Sequence, residues 1–89
     1  MKLDLYLFVQ EGCRPCIYVK NNLQRTEGWE NYVTIVDVTD EKARPLMIKY
    51  QIDATPTLLA VKNDTDGKTF CNPKEMTKQF WTDLFEGLE

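Results

Sequence analysis

Leu5-Tyr6-Leu7-Phe8-Val9-Gln10-Glu11-Gly12-Cys13-Arg14-Pro15-Cys16 is the stretch on which the fold turns. A continuous apolar run leads through a short turn to two cysteines three apart, with a proline between them, and a helical pattern follows directly. With Cys13 at the mouth of that helix and Cys16 in its first turn, the two sulfurs share one face, their Cβ atoms roughly 5–6 Å apart. That is slightly beyond ideal disulfide geometry, so a modest local adjustment lets them bond. The unpaired N–H groups and positive potential at a helix N-terminus favour a thiolate over a thiol at Cys13. Arg14 adds a fixed positive charge beside it. An accessible, readily ionised thiol next to a second thiol is the equipment of disulfide exchange.

Two other uses of the pair are weaker. A tetrahedral zinc site takes four ligands, mostly Cys or His. This chain has Cys13, Cys16 and Cys71 and no histidine, so a fourth ligand would have to be a carboxylate or come from another chain. A purely structural disulfide is disfavoured because closing so short a loop constrains the unfolded chain little.

Working outward, 89 residues predict one domain, residues 1–89, burying about 60–65% of the unfolded surface. The apolar content of 43% excludes wholesale disorder. A net charge of −3 and the lack of a basic stripe argue against nucleic acid as a partner. No window approaches a membrane span. Met1-Lys2-Leu3-Asp4 does not read as a signal peptide, since Asp4 and Gln10 interrupt the apolar run and no small-residue cleavage site follows. Together with a CxxC that cycles rather than staples, this gives the expectation of a cytoplasmic protein.

Leu3 to Val9 reads as a strand covered on both faces. Pro15 suits a first helical turn, Cys16, Val19 and Leu23 repeat at helical spacing, and Gly28 is the expected stop. Lys20, Asn21, Asn22 and Arg25 read as a solvated face. Tyr32 to Thr39 is a second strand, parallel to the first across the helix. Thr39-Asp40 caps a second helix with Ala43, Leu46, Met47 and Tyr50 inside, and Pro45 belongs in its first turn. Thr57 to Val61 is a third strand. Asn63-Asp64-Thr65-Asp66-Gly67 is a hairpin loop leading to a strand over Lys68–Cys71. Asn72, Pro73 and Glu75 line up as cap, first and third residues of a final helix. Its stripe is Met76, Phe80, Trp81, Leu84, Phe85 and Leu88. The expected architecture is α/β, in the order β-α-β-α-β-β-α, with a four-stranded mixed sheet flanked by helices.

That order, the CxxC opening the first helix, and Thr55-Pro56 ahead of the third strand together resemble the thioredoxin/glutaredoxin superfamily over essentially the whole chain. Lys49-Tyr50-Gln51-Ile52 through Thr55-Pro56-Thr57-Leu58-Leu59 looks thioredoxin-like, while the overall length is similar to a glutaredoxin or a small viral redoxin. The resemblance implies a dithiol-disulfide oxidoreductase. Cys13 would be the attacking thiolate, Cys16 the resolving thiol, and Pro56 a cis-proline beside them. Thr55 would offer backbone groups to a substrate strand. Arg14, Pro15, Cys71 and Asn72 would complete the substrate surface. No tightly bound cofactor is implied. Electrons would come from glutathione or from a thioredoxin reductase using FAD and NADPH, and pass to disulfide-containing proteins such as ribonucleotide reductase. The protein is expected to be a monomer.

The departures from that pattern are informative. Gly12 stands where thioredoxins place Trp, and Leu7 where they place a buried Asp, so Cys16 must lose its proton to water or another group. Cys71-Asn72 stands where glutaredoxins hold glutathione on a Gly-Gly pair. Cys71 is either a third redox thiol at the rim or a small hydrophobe packed on Met76, and the habit of free cysteine favours the second. Two further classes compete: a metal- or iron–sulfur-bridging dimer, which Pro15 and Pro56 disfavour, and a protein-binding module in which Cys13→Ser would retain function.

Overall fold

The computed structural model describes residues 3–63 and 65–88. Strands β1 (Leu3–Val9), β2 (Val33–Asp37), β3 (Thr57–Lys62) and β4 (Asp66–Phe70) form one mixed sheet in the order β2-β1-β3-β4. β2 runs parallel to β1, β3 antiparallel to β1, and β4 antiparallel to β3. Helices α1 (Arg14–Gln24), α2 (Arg44–Lys49) and α3 (Lys78–Glu86) complete the expected order. The α/β architecture read from the sequence is the one observed.

Period-two alternation along the central strands sorts their side chains to two faces. Leu5, Leu7 and Leu58 point to one side, where they meet Val19 and Leu23 of α1, Met76, and Trp81 and Phe85 of α3. Phe8, Leu59 and Val61 point to the other, under Ala43, Leu46, Met47 and Tyr50. The first layer is the thicker: Phe85 stacks on Tyr32 with ring centroids 4.6 Å apart. Trp81 is fully buried, and its indole N–H finds no acceptor among the described residues.

Element ends depart from expectation in five places. α1 stops at Gln24, capped by Arg25; Gly28, at φ +79°, instead starts the short 3₁₀ turn Trp29–Asn31. β2 is confined to Val33–Asp37, because the Asp37 carboxylate accepts from the Thr39 N–H and hydroxyl and turns the chain. The cap at Asp40 serves a 3₁₀ turn, Glu41–Ala43, before α2 begins with Pro45 in its first turn. Asn72 likewise caps only the 3₁₀ turn Pro73–Glu75. The last helix starts later, with Thr77 Oγ1 accepting from the Phe80 N–H at 3.2 Å. β4 begins at Asp66, so the hairpin loop is shorter than the turn residues suggest; Asp64, which the loop includes, lies outside the described residues, as do Met1 and Lys2.

Candidate active site

Gly12, at φ +81°, lets the chain leave β1 in a left-handed turn that side chains resist. Cys13 follows as the N-cap of α1, extended at φ −84° and ψ 107°. Its sulfur takes the place of the usual capping oxygen and accepts the Cys16 N–H at 3.2 Å, while its carbonyl accepts the Ile17 N–H. Cys13 and Cys16 form a disulfide, their Cα atoms 5.2 Å apart, within the range a disulfide spans. The two sulfurs are unequally placed. Cys16 is buried at 3% exposure, whereas Cys13 is half-buried at the surface.

From the start of β3, Thr55 comes to the same point. The Thr55–Pro56 peptide bond is cis. Thr55 Oγ1 lies 3.6 Å from Cys13 Sγ as a donor, and the Thr55 carbonyl oxygen is 3.8 Å from that sulfur. Pro56 is buried, and Arg14 and Pro15 are exposed on the helix rim. In the reduced protein, a Cys13 thiolate would keep two donors, the Cys16 N–H and the Thr55 hydroxyl, and hydrogen bonds to the charged form favour it.

Cys71 is free and exposed. The buried placement favoured on sequence grounds is therefore not the one observed: Met76 is fully buried, whereas Cys71 is at the surface. Cys71 Sγ lies 3.7 Å from Thr57 Oγ1. That hydroxyl spends its one proton on the Ala54 carbonyl at 2.7 Å, so the thiol is the donor. Cys71 thus borders the Ala54–Thr57 segment at the rim. Asn72 is exposed but its carboxamide oxygen is occupied by the Lys74 N–H at 3.1 Å, which serves the local turn.

An open cleft of about 380 Å³ lies on the Cys16 side, lined by Glu11, Gly12, Cys16, Ile17, Lys20 and Asp37 among others. Lys20, read from sequence as part of a solvated face, is half-buried there. Its placement one turn after Cys16 was the available signal. Asp37 is held below the usual carboxylate range by the backbone and hydroxyl hydrogen bonds from Thr39. A smaller pocket of about 90 Å³ on the other side is bordered by Gln10, Met47, Ala54 and Thr55. Among the described residues no three His, Cys, Asp or Glu side chains gather as a metal cage, and no helix is long and apolar enough to cross a membrane.

This is the thioredoxin fold with a CxxC pair closed as a disulfide at the start of its first helix. A solved structure of the germline thioredoxin Deadhead from Drosophila melanogaster superposes with a TM-score of 0.67 at 16% identity, covering 99% of this chain and 82% of that one. A thioredoxin from Thermus thermophilus gives 0.65 at 14%, covering 98% and 73%. A disulphide isomerase from Xylella fastidiosa gives 0.58 at 19%, covering 98% and 78%. No protein-family model matches the sequence, and no curated protein matches it.

Proposed function

We propose that the protein is a dithiol-disulfide oxidoreductase that passes electrons to protein disulfides. The observation that carries this reading is the asymmetric pair: a half-buried sulfur at a helix cap, bonded to a buried one and flanked by the cis Thr55–Pro56 segment. In the reduced protein the Cys13 thiolate attacks one sulfur of a partner disulfide. The partner's S–S bond breaks, one partner sulfur leaves as a thiolate and takes a proton from water, and the other is held to Cys13. Cys16 then loses its proton and attacks Cys13 Sγ, expelling the second partner sulfur. Two electrons have moved to the partner and Cys13–Cys16 is closed. Thr55, whose carbonyl flanks the sulfur, offers the partner chain a backbone group to pair with.

Regeneration needs an external reductant, a thioredoxin reductase with FAD and NADPH or glutathione, and ribonucleotide reductase is a recipient of suitable chemistry. The Asn72 carboxamide oxygen, taken by the Lys74 N–H, and the side chain of Cys71 at the rim favour the reductase over glutathione. The test is reduction of a protein disulfide with each reductant in turn. Cys13→Ser is expected to abolish turnover, and Cys16→Ser to capture the partner as a stable mixed disulfide on Cys13. Turnover surviving Cys13→Ser would leave the fold as a binding module.

A further inference from the structure

Cys13 has donors that stabilise its thiolate, but the second half of the exchange depends on Cys16, and burial disfavours an ionised thiol. The face of the sheet under α1 is lined by Leu5, Leu7 and Leu58, which offer neither a base nor a charge. Cys16 meets solvent at the cleft of about 380 Å³. The charged groups lining that cleft are Glu11 from the turn after β1, Lys20 from α1 and Asp37 from the end of β2. Asp37 is committed elsewhere: its Oδ1 accepts from the Thr39 N–H at 2.9 Å and the Thr39 hydroxyl at 2.7 Å. Glu11 is exposed and, as an anion, opposes a thiolate. Lys20 is the only cation among the lining residues. It stands one turn beyond Cys16 on the same helical row, where Cβ atoms are roughly 5–6 Å apart, and it is half-buried among the residues that line the cleft.

We infer that Lys20 is the residue that allows the buried Cys16 to ionise, its ammonium stabilising the thiolate across the cleft while cleft water takes the proton. This rests on the exchange function proposed above. The Cys16 thiolate attacks Cys13 Sγ, the bond from Cys13 to the partner sulfur breaks, the partner leaves as a thiolate, and both electrons go with it. Leu7 leaves the sheet side apolar, so the charge that makes this step fast comes from the helix itself.

The two steps separate with an aromatic disulfide, 5,5′-dithiobis(2-nitrobenzoate), given at one equivalent to the reduced protein carrying Cys71→Ser, which removes the competing exposed thiol. Attack by Cys13 releases one coloured thiolate, and closure by Cys16 releases the second. Lys20→Met is expected to slow the second phase about fivefold near pH 7 and to move its pH midpoint upward, leaving the first phase in place; the magnitude is that of one charge at this distance in a partly solvated site. Lys20→Arg is expected to restore it. An unchanged second-phase profile in Lys20→Met overturns the inference, as does a larger shift from Asp37→Asn. A parent protein that shows the first phase and never the second fails at the exchange function itself, whatever Lys20 does.

Discussion

The sulfur of Cys13 caps α1, and in the proposed exchange it is also the atom that attacks. As a cap it holds the Cys16 N–H at 3.2 Å, and the Thr55 hydroxyl lies 3.6 Å away. Both bonds strengthen when the sulfur carries a charge. Arg14, next in sequence and exposed, adds a screened positive charge at the same helix end. Thr55→Val and Arg14→Gly are therefore each expected to raise the pH midpoint of Cys13 ionisation, by roughly half a unit to one unit. The measurement is thiolate absorbance against pH with Cys16→Ser and Cys71→Ser in place, so that only Cys13 titrates as a thiol. A higher midpoint means less thiolate near neutrality and slower attack. An unmoved titration in Thr55→Val would mean that the hydroxyl does not donate to this sulfur. The convergence of Cys13, Cys16 and the Thr55–Pro56 dipeptide was legible in the sequence, because a CxxC after an apolar strand and a Thr-Pro before another are local signals. The part played by Cys71 was not, because its exposure depends on how tightly the chain turns after β4.

Strands and helices were legible from periodicity, but the number of turns following a cap was not. Asn72-Pro73 with Glu75 is a sound local start signal, and it does start a turn. The chain then breaks at Met76, with φ −88° and ψ 61°, and the Met76 side chain is fully buried. Burial of that side chain overrides continuation of the helix, and Thr77 caps again two residues before Gln79. Gly67 was misread for a similar reason. As a turn-former it suggested the hairpin loop, yet it lies in β4 opposite Val61. A Cβ built there would overlap the Tyr50 ring and come within 3.3 Å of Leu59 Cδ1. The glycine makes room for an aromatic ring arriving from the end of α2, a contact between residues 50 and 67 that no window of sequence displays. Gly67→Ala is expected to destabilise the protein by about 1–3 kcal/mol, the usual cost of overpacking. Denaturant unfolding measures it, and the cost should shrink when Tyr50→Ala is already present. A cost undiminished in that background would assign the penalty to the strand backbone and not to the ring.

At the scale of the molecule, topology explains why residues so far apart in sequence converge. β1 and β3 are antiparallel with Phe8 opposite Thr57, and β3 and β4 are antiparallel with Leu58 opposite Phe70. The C-terminal ends of β1 and β4 and the N-terminal end of β3 therefore lie at one end of the sheet, where Cys13 meets Thr55 and Cys71 meets Thr57. The two layers holding that edge are unequal. One side is packed by α1 and α3, with Val19, Leu23, Trp81 and Phe85 all buried. The other is covered by α2, only six residues long and with no fully buried side chain of its own. Helices this short draw their stability from packing, and α2 has little. Local openings follow the distribution of buried contacts, so α2 should open without the rest of the fold. In native-state hydrogen exchange, the amides of Tyr50 and Ile52, bonded to the Leu46 and Met47 carbonyls, are expected to exchange at least tenfold faster than those of Leu7, Leu58 and Trp81, a gap of about 1.4 kcal/mol or more in opening free energy. Because the disulfide is anchored by α1 and β1, this opening should leave its reducibility unchanged. Equal protection of α2 and the central strands would instead mean that both layers unfold as one unit, and the thin cover over Phe8 and Leu59 would have to be held by contacts other than its own packing.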